Sequence, residues 1–199
     1  MVKKLVVLVI MIVLAIPAFG QGPPSAPYLE PQTGIVFPVN LGPLEFSGAM
    51  KYDQPELGVS VGYQGELLIR ADIYIYDMGQ KNLGTGLGSS VVTAQFQQAK
   101  GDIFALEKRG NYQSVTVLSE QPTAFSTPGG KLATLAAGFK YSQTAGPGVA
   151  FTGPRISHLF LTAYKGVFVK VRFTYPETDK ARGDQALSQF LAALGKILK

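Results

Sequence analysis

The 199-residue chain has no cysteine and a single histidine, His158. Without thiols there is no disulfide, no thiolate nucleophile, no thiolate metal site and no lipidated cysteine at a cleavage point. A lone histidine provides no second imidazole for a metal. The 13 acidic residues are dispersed, with no close carboxylate cluster of the calcium-loop type. Asp72 and Asp77 bracket Tyr74 and Tyr76 but fall on opposite faces of an extended strand. Neither a metal nor another cofactor is expected. No G-x-S-x-G nucleophile motif occurs. The run Gly84-Thr-Gly-Leu-Gly-Ser-Ser90 lacks the G-x-G-x-x-G spacing, and no lysine follows it. It reads as a connection ending in a serine helix cap rather than as a phosphate loop. Net charge is +5, of which Lys3 and Lys4 carry two. The remainder is too mild and unclustered for a nucleic-acid partner. No internal repeat is present.

What the chain does have is an address. Lys3 and Lys4 precede an unbroken apolar run from Leu5 to Ile16, which Pro17, Ala18, Phe19 and Gly20 break. This is the order of a secretory signal peptide, with Ala18 and Gly20 at the −3 and −1 positions before Gln21. The run is shorter than the roughly 20 residues that span a bilayer. Residues 1–20 are therefore expected to be removed, with a retained N-terminal anchor as the alternative. The expected product is soluble, in a periplasmic or extracellular space, with no stable membrane span. Six prolines between Gln21 and Pro43 predict an extended leader, with a single domain over 44–199.

Within that domain, strands are predicted over Leu44–Tyr52, Leu57–Tyr63 and Ile69–Tyr76. In the last, Ile69, Ala71, Ile73 and Ile75 alternate with Arg70, Asp72, Tyr74 and Tyr76, placing the two sets on opposite faces. Val92, Phe96, Ala99, Ile103 and Leu106 step by four and three, the stripe of an amphipathic helix capped by Ser89 or Ser90. Gly101 is a candidate kink within it, and Gly110 a left-handed stop. Strands follow over Tyr112–Leu118 and, after a Pro/Gly loop, Lys131–Tyr141. A second loop, Gln143–Pro154, precedes Arg155–Tyr164 and Val167–Tyr175, a hairpin turning at Lys165-Gly166. Thr178 or Asp179 caps a last helix with Leu187, Phe190, Leu191, Leu194 and Leu198 on one face. The expected fold class is α+β, a mostly antiparallel sheet flanked by two amphipathic helices.

A two-residue turn at 165–166 makes paired positions sum to 331, so His158 lies opposite Phe173 and shares its face with Phe160, Val169 and Val171. Such a neighbourhood predicts a hydrogen-bonded packing histidine. Arg70, Asp72, Tyr74 and Tyr76 on one strand, with Lys170 and Arg172 on another, are the candidate ligand- or partner-binding residues. Tyrosine and arginine are the types enriched in interaction hot spots. The competing reading has the charges on a solvated face and the tyrosines under a helix.

The tail from Phe160 to Pro176, followed by a capped amphipathic helix, resembles the ending of uncharacterised exported bacterial proteins. With Ile73-Tyr-Ile-Tyr-Asp77, the layout is similar to the PsbP/Mog1-like α/β/α sandwich. A cystatin-like or lipocalin-like arrangement shares much of this order. The PsbP resemblance implies an accessory or assembly role over catalysis, and no family motif is present to carry functional residues across. The expectation is an exported, non-enzymatic accessory or binding domain acting on an envelope protein, docked on the Tyr/Arg face or the Gln143–Pro154 loop. The alternatives are a carrier of a lipid or other small apolar ligand, and a small hydrolase built on His158 or a Ser-Lys pair.

Overall fold

The computed structural model describes residues 26–81, 83–146, 149 and 151–199; the signal-peptide expectation for residues 1–20 lies outside them. One eight-stranded sheet runs through the molecule, with every neighbouring pair antiparallel. Two short strands, β1 (Tyr28–Leu29) and β2 (Val36–Phe37), pair with each other outside it. The large sheet contains β3 (Asn40–Leu41), β4 (Leu44–Lys51), β5 (Val59–Gln64) and β6 (Arg70–Tyr76). It continues with β7 (Tyr112–Thr127), β8 (Gly130–Gln143), β9 (Gly153–Tyr164) and β10 (Val167–Pro176). Their spatial order is β3-β4-β5-β6-β10-β9-β8-β7. Helix α1 (Ser90–Lys108) carries the chain from β6 to the far edge at β7, and α2 (Lys180–Ile197) closes the chain. The fold is α+β, with the helices packed in two separate apolar clusters on opposite faces of the sheet.

Alternation along the strands sets which side chains reach which helix. On the α2 face, Val61, Tyr63, Ile73, Val169, Val171 and Phe173 join Phe190 and Leu194 in one continuous core. Helix α2 seats closely because Gly183 and Gly195 carry no side chain there. A Cβ on Gly183 would stand 2.4 Å from the Tyr175 ring, and one on Gly195 would stand 2.1 Å from the Ser126 carbonyl oxygen. Residues 35–41 contribute to this core as well. Ile35, Phe37 and Leu41 are buried in it, and Tyr63 donates a 2.7 Å hydrogen bond to the Pro38 carbonyl. Pro27, Pro31, Pro38 and Pro43 sit among short strands and turns.

Helix α1 buries Val92, Phe96, Ala99 and Ile103 as the stripe requires, and Ser89 Oγ accepts the Val91 amide at its start. It continues through Gly101 without a break, and Gly110 (φ 78°) follows its end in the left-handed region. The glycine run before α1 is tied to the β9–β10 hairpin. Gly86 exchanges backbone hydrogen bonds with Ala163, and the Gly166 amide donates to Gly84. Lys165 and Gly166 both have positive φ, as a two-residue hairpin turn demands. The resulting register pairs His158 with Phe173.

Strand β7 departs from the sequence expectation. It runs for 16 residues, through the stretch expected to be a Pro/Gly loop, and turns at Pro128-Gly129. Pro122 is accommodated because β7 is an edge strand, where a missing amide donor leaves no ladder bond unmade. Two register shifts, at Gln113/Thr116 and Val117/Ser119, break the regularity of that edge.

Candidate functional site

The register brings all six candidate residues onto the α1 face of β6 and β10. Arg172 pairs with Asp72, Lys170 with Tyr74, and Tyr76 with Phe168. Their fates then differ with distance from α1. Tyr76 is fully enclosed, its hydroxyl accepting a 3.1 Å hydrogen bond from Gln95 of α1 and its ring packed on Phe168. Tyr74 and Lys170 are also buried, the Lys170 ammonium lying 4.1 Å from the Tyr74 ring centroid and 5.6 Å from that of Tyr76. Burial pushes the Lys170 pKa down to about 8, with the nearby Asp102 carboxylate opposing that shift. These three side chains lie inside the protein, not on a surface a partner could touch.

Arg70, Asp72 and Arg172 remain partly open. Helix α1 packs principally on β7 and β9 and reaches β6 at Tyr76, where Gln95 meets it. Beside β6 on this face, β5 presents Ser60 and Gly62, small residues paired with Tyr74 and Asp72. Arg70 is neutralised locally, its Nε and Nη2 donating to Asp72 Oδ1 at 3.0 and 2.7 Å. Arg172 is held differently. Its Nε and Nη2 both donate to the hydroxyl of Ser157, at 3.2 and 2.9 Å, and Ser157 is itself 2.8 Å from Thr174 Oγ1. Among the described residues no carboxylate lies within 4.0 Å of it.

Tyr112 and Tyr141 stack with ring centroids 3.9 Å apart, and with Tyr74 they lie close enough to act on Arg172 electrostatically. Burial holds the Tyr141 and Tyr74 hydroxyls in their protonated form well above the usual phenol range. Arg155, paired with Tyr141, stands at the end of the same face with its guanidinium 5.4 Å from the Phe151 ring centroid. Tyr112, Tyr141, Ser157 and Thr174 were not among the sequence candidates. The 331 rule already pairs Ser157 with Thr174, beside Arg172. The tyrosines come from strands whose register only the structure supplies.

His158 sits on the opposite face, between Phe160 and Tyr175. Its Nε2 is 3.0 Å from the Tyr175 hydroxyl, which donates its one proton to Asp184 of α2. The hydroxyl must therefore accept from His158, which assigns the proton to Nε2. Lys180 completes the chain at 2.5 Å from the other Asp184 oxygen. The histidine's partner is a phenol that ties the sheet to α2, not a serine nucleophile. Burial lowers its pKa, opposed by Asp184 and supported by Lys180. On the α2 side, at the chain's end, a recess of about 250 Å³ is lined by residues including Ile35, Tyr164, Ile197 and Lys199. Among the described residues no group of three or more acidic or histidine side chains could hold a metal ion. Nor is any helix there long and apolar enough to cross a membrane.

The class that emerges is an α+β domain with an antiparallel sheet between two helices and an arginine–tyrosine corner left open beside one of them. The chain bears a weak, architecture-level resemblance to PsbP. The solution structure of cyanobacterial PsbP (CyanoP) from Synechocystis sp. PCC 6803 is similar with a TM-score of 0.41 and 14% identity, over 87% of this chain and 96% of that one. No protein-family model matches the chain, and no curated protein does.

Proposed function

We propose that this chain is an exported, non-enzymatic accessory domain that binds an envelope protein through the open corner around Arg70 and Arg172. The observation supporting this reading is Arg172 itself. It is a largely buried guanidinium, partly open as a residue, that bonds a neutral hydroxyl where a buried arginine ordinarily has a carboxylate. A partner presenting acidic side chains would complement it. Buried Tyr76 serves the fold, so the mutational control belongs at the two arginines.

The test is affinity capture from an envelope extract with the full chain, using Arg70→Ala/Arg172→Ala as the control and circular dichroism to verify folding. The expected result is a specific acidic protein retained by the native chain and lost by the control. Equal capture by both, or co-purification of a lipid or other small apolar molecule alone, overturns the reading.

A further inference from the structure

The ribbon of β1 and β2 carries apolar side chains on both of its sides. Tyr28 pairs with Phe37 on the side facing the α2 core, and Phe37 is fully enclosed. Leu29 pairs with Val36 on the other side, and the two stand 59% and 50% exposed. A period of two ordinarily places polar residues at strand positions facing water, so this aliphatic pair departs from the pattern at two adjacent points. Nor is the pair isolated. Val36 belongs to the wall of the recess of about 250 Å³, which Ile35, Tyr164 and Ile197 continue. The rim of this patch is cationic. Lys165 and Lys199 line the recess, and Lys196 is exposed in the last turn of α2. The Lys165 ammonium donates to the Thr33 carbonyl at 3.4 Å and lies 5.2 Å from the Tyr164 ring centroid, which fixes its place without neutralising it. The Tyr164 hydroxyl donates to the Lys199 main-chain oxygen. Among the described residues no acidic side chain lines the recess, and none of these three lysines is in an ion pair. Glu30, between the two short strands, is buried and bonded to the amides of Gln32 and Thr33.

We propose that this patch, Leu29 and Val36 beside a recess rimmed by Lys165, Lys196 and Lys199, docks on an anionic phospholipid membrane surface. Its composition separates a lipid from a protein occupant. Protein interfaces are depleted in lysine and anchored by aromatic residues or arginine. Protruding aliphatics ringed by lysines are instead the makings of peripheral membrane binding. The aliphatics enter the boundary between headgroups and acyl chains, and the lysines stay among the anionic headgroups. The recess beside Val36 gives room for an apolar group at that boundary. The patch is separate from the arginine corner. It lies by the β9–β10 turn on the α2 side, next to the end of the sheet where Tyr76 pairs with Phe168. Arg70 begins β6 at the other end, on the α1 face. The proposal therefore goes beyond the protein-docking reading and stands or falls independently of it, since a membrane and a protein partner can be held at once.

The chain has no cysteine, so Val36→Cys gives the full chain a single thiol for an environment-sensitive NBD fluorophore. The labelled protein is titrated with vesicles of phosphatidylcholine alone and of phosphatidylcholine and phosphatidylglycerol in equal parts, at low ionic strength and pH 7. A blue shift and brightening of the fluorophore are expected with the mixed vesicles and not with phosphatidylcholine alone. Replacing Lys196 and Lys199 by glutamine should raise the lipid needed for half the effect by about fivefold for each lysine removed. Leu29→Ser should raise it by about tenfold. These three side chains are exposed, and circular dichroism verifies that the variants fold. If the Val36→Cys chain does not fold, the same label at Leu29→Cys decides the question. A label at Glu66→Cys, exposed in the β5–β6 connection at the other end of the sheet, should not respond. No shift with the mixed vesicles overturns the proposal. So does an equal shift with both vesicle types, in all variants or at Glu66, which assigns vesicle binding to the apolar run Leu5–Ile16. A shift produced by lipid-free envelope protein and not by vesicles overturns it as well and gives the patch to a protein.

Discussion

The two faces of the sheet are made by the same strands from alternate residues, yet they are finished in different ways. On the α2 face, β5, β6 and β10 contribute aliphatic and aromatic side chains to one core that extends from Ile35 to Leu198. On the α1 face, the same strands contribute Ser60, Arg70, Asp72, Lys170 and Arg172 beside the buried Tyr74, Tyr76 and Phe168. Apolar residues there are concentrated on β8 and β9, where Phe139, Leu159 and Leu161 meet α1. The first face is closed by helix and by the segment before Leu44. On the second, α1 packs chiefly on β7 and β9. The difference is one of composition: one side of the sheet carries a continuous apolar core, and the other keeps Arg70, Asp72 and Arg172 partly open.

That contrast can be tested by truncation. Phe190→Ala, at the centre of the α2 face, should cost about 3–5 kcal/mol in urea-unfolding free energy. A loss below about 1 kcal/mol would show that the closed face is not the stabilising one.

Lys170→Met comes next and has the opposite sign. The native ammonium loses its proton near pH 8, whereas the unfolded side chain keeps it to about 10.5. Between these values the unfolded chain binds more protons, so Lys170 makes stability rise with pH from about 8. Above about 10 the rise is opposed, because tyrosines held protonated in the fold ionise more readily when unfolded. Replacing this buried charge should stabilise the protein at pH 7 by about 1–3 kcal/mol and flatten the pH 8–10 limb. A destabilised variant with the limb intact would mean that the cation–π contacts outweigh desolvation.

A smaller effect belongs to His158. Its pKa is lowered on folding, so the unfolded chain takes up a proton first, and stability falls as pH drops below about 6.5. His158→Gln should reduce that slope while leaving the carboxylate-driven loss at lower pH. Thermal melts between pH 7 and pH 5 measure it, and an unchanged slope would assign the dependence elsewhere. The smallest change is Arg70→Gln, whose ion pair is partly exposed (side-chain exposure 43%). It should shift the unfolding free energy by less than about 1 kcal/mol; a larger loss would make the open corner part of the structural core.

Much of this architecture was legible in the alternation of Ile69 to Tyr76, the stripe from Val92 to Ile103 and the Lys165-Gly166 turn. Each is a local pattern whose period dictates its geometry. Pro122 obscured β7, because a proline disfavours a strand unless the strand lies at an edge, and edge position is a property of the whole sheet. The prolines before Leu44 hid Ile35, Phe37 and Leu41 for a related reason: short strands with turns between them have no periodicity to read. The site was legible in part. A period of two placed Arg70, Asp72, Tyr74 and Tyr76 on one face and Lys170 and Arg172 on one face, but not which of them α1 would cover.

The sequence by itself therefore determined the α+β class, most strand and helix spans, the hairpin register and the absence of thiol chemistry, since these follow from near-neighbour spacing and composition. Tertiary structure alone decided that Tyr74, Tyr76 and Lys170 are enclosed, that Tyr112 stacks on Tyr141, and that His158 links the sheet to α2 through Tyr175. Those outcomes depend on where a helix crosses a sheet and which distant strands become neighbours. Both are fixed by packing between segments far apart in the chain.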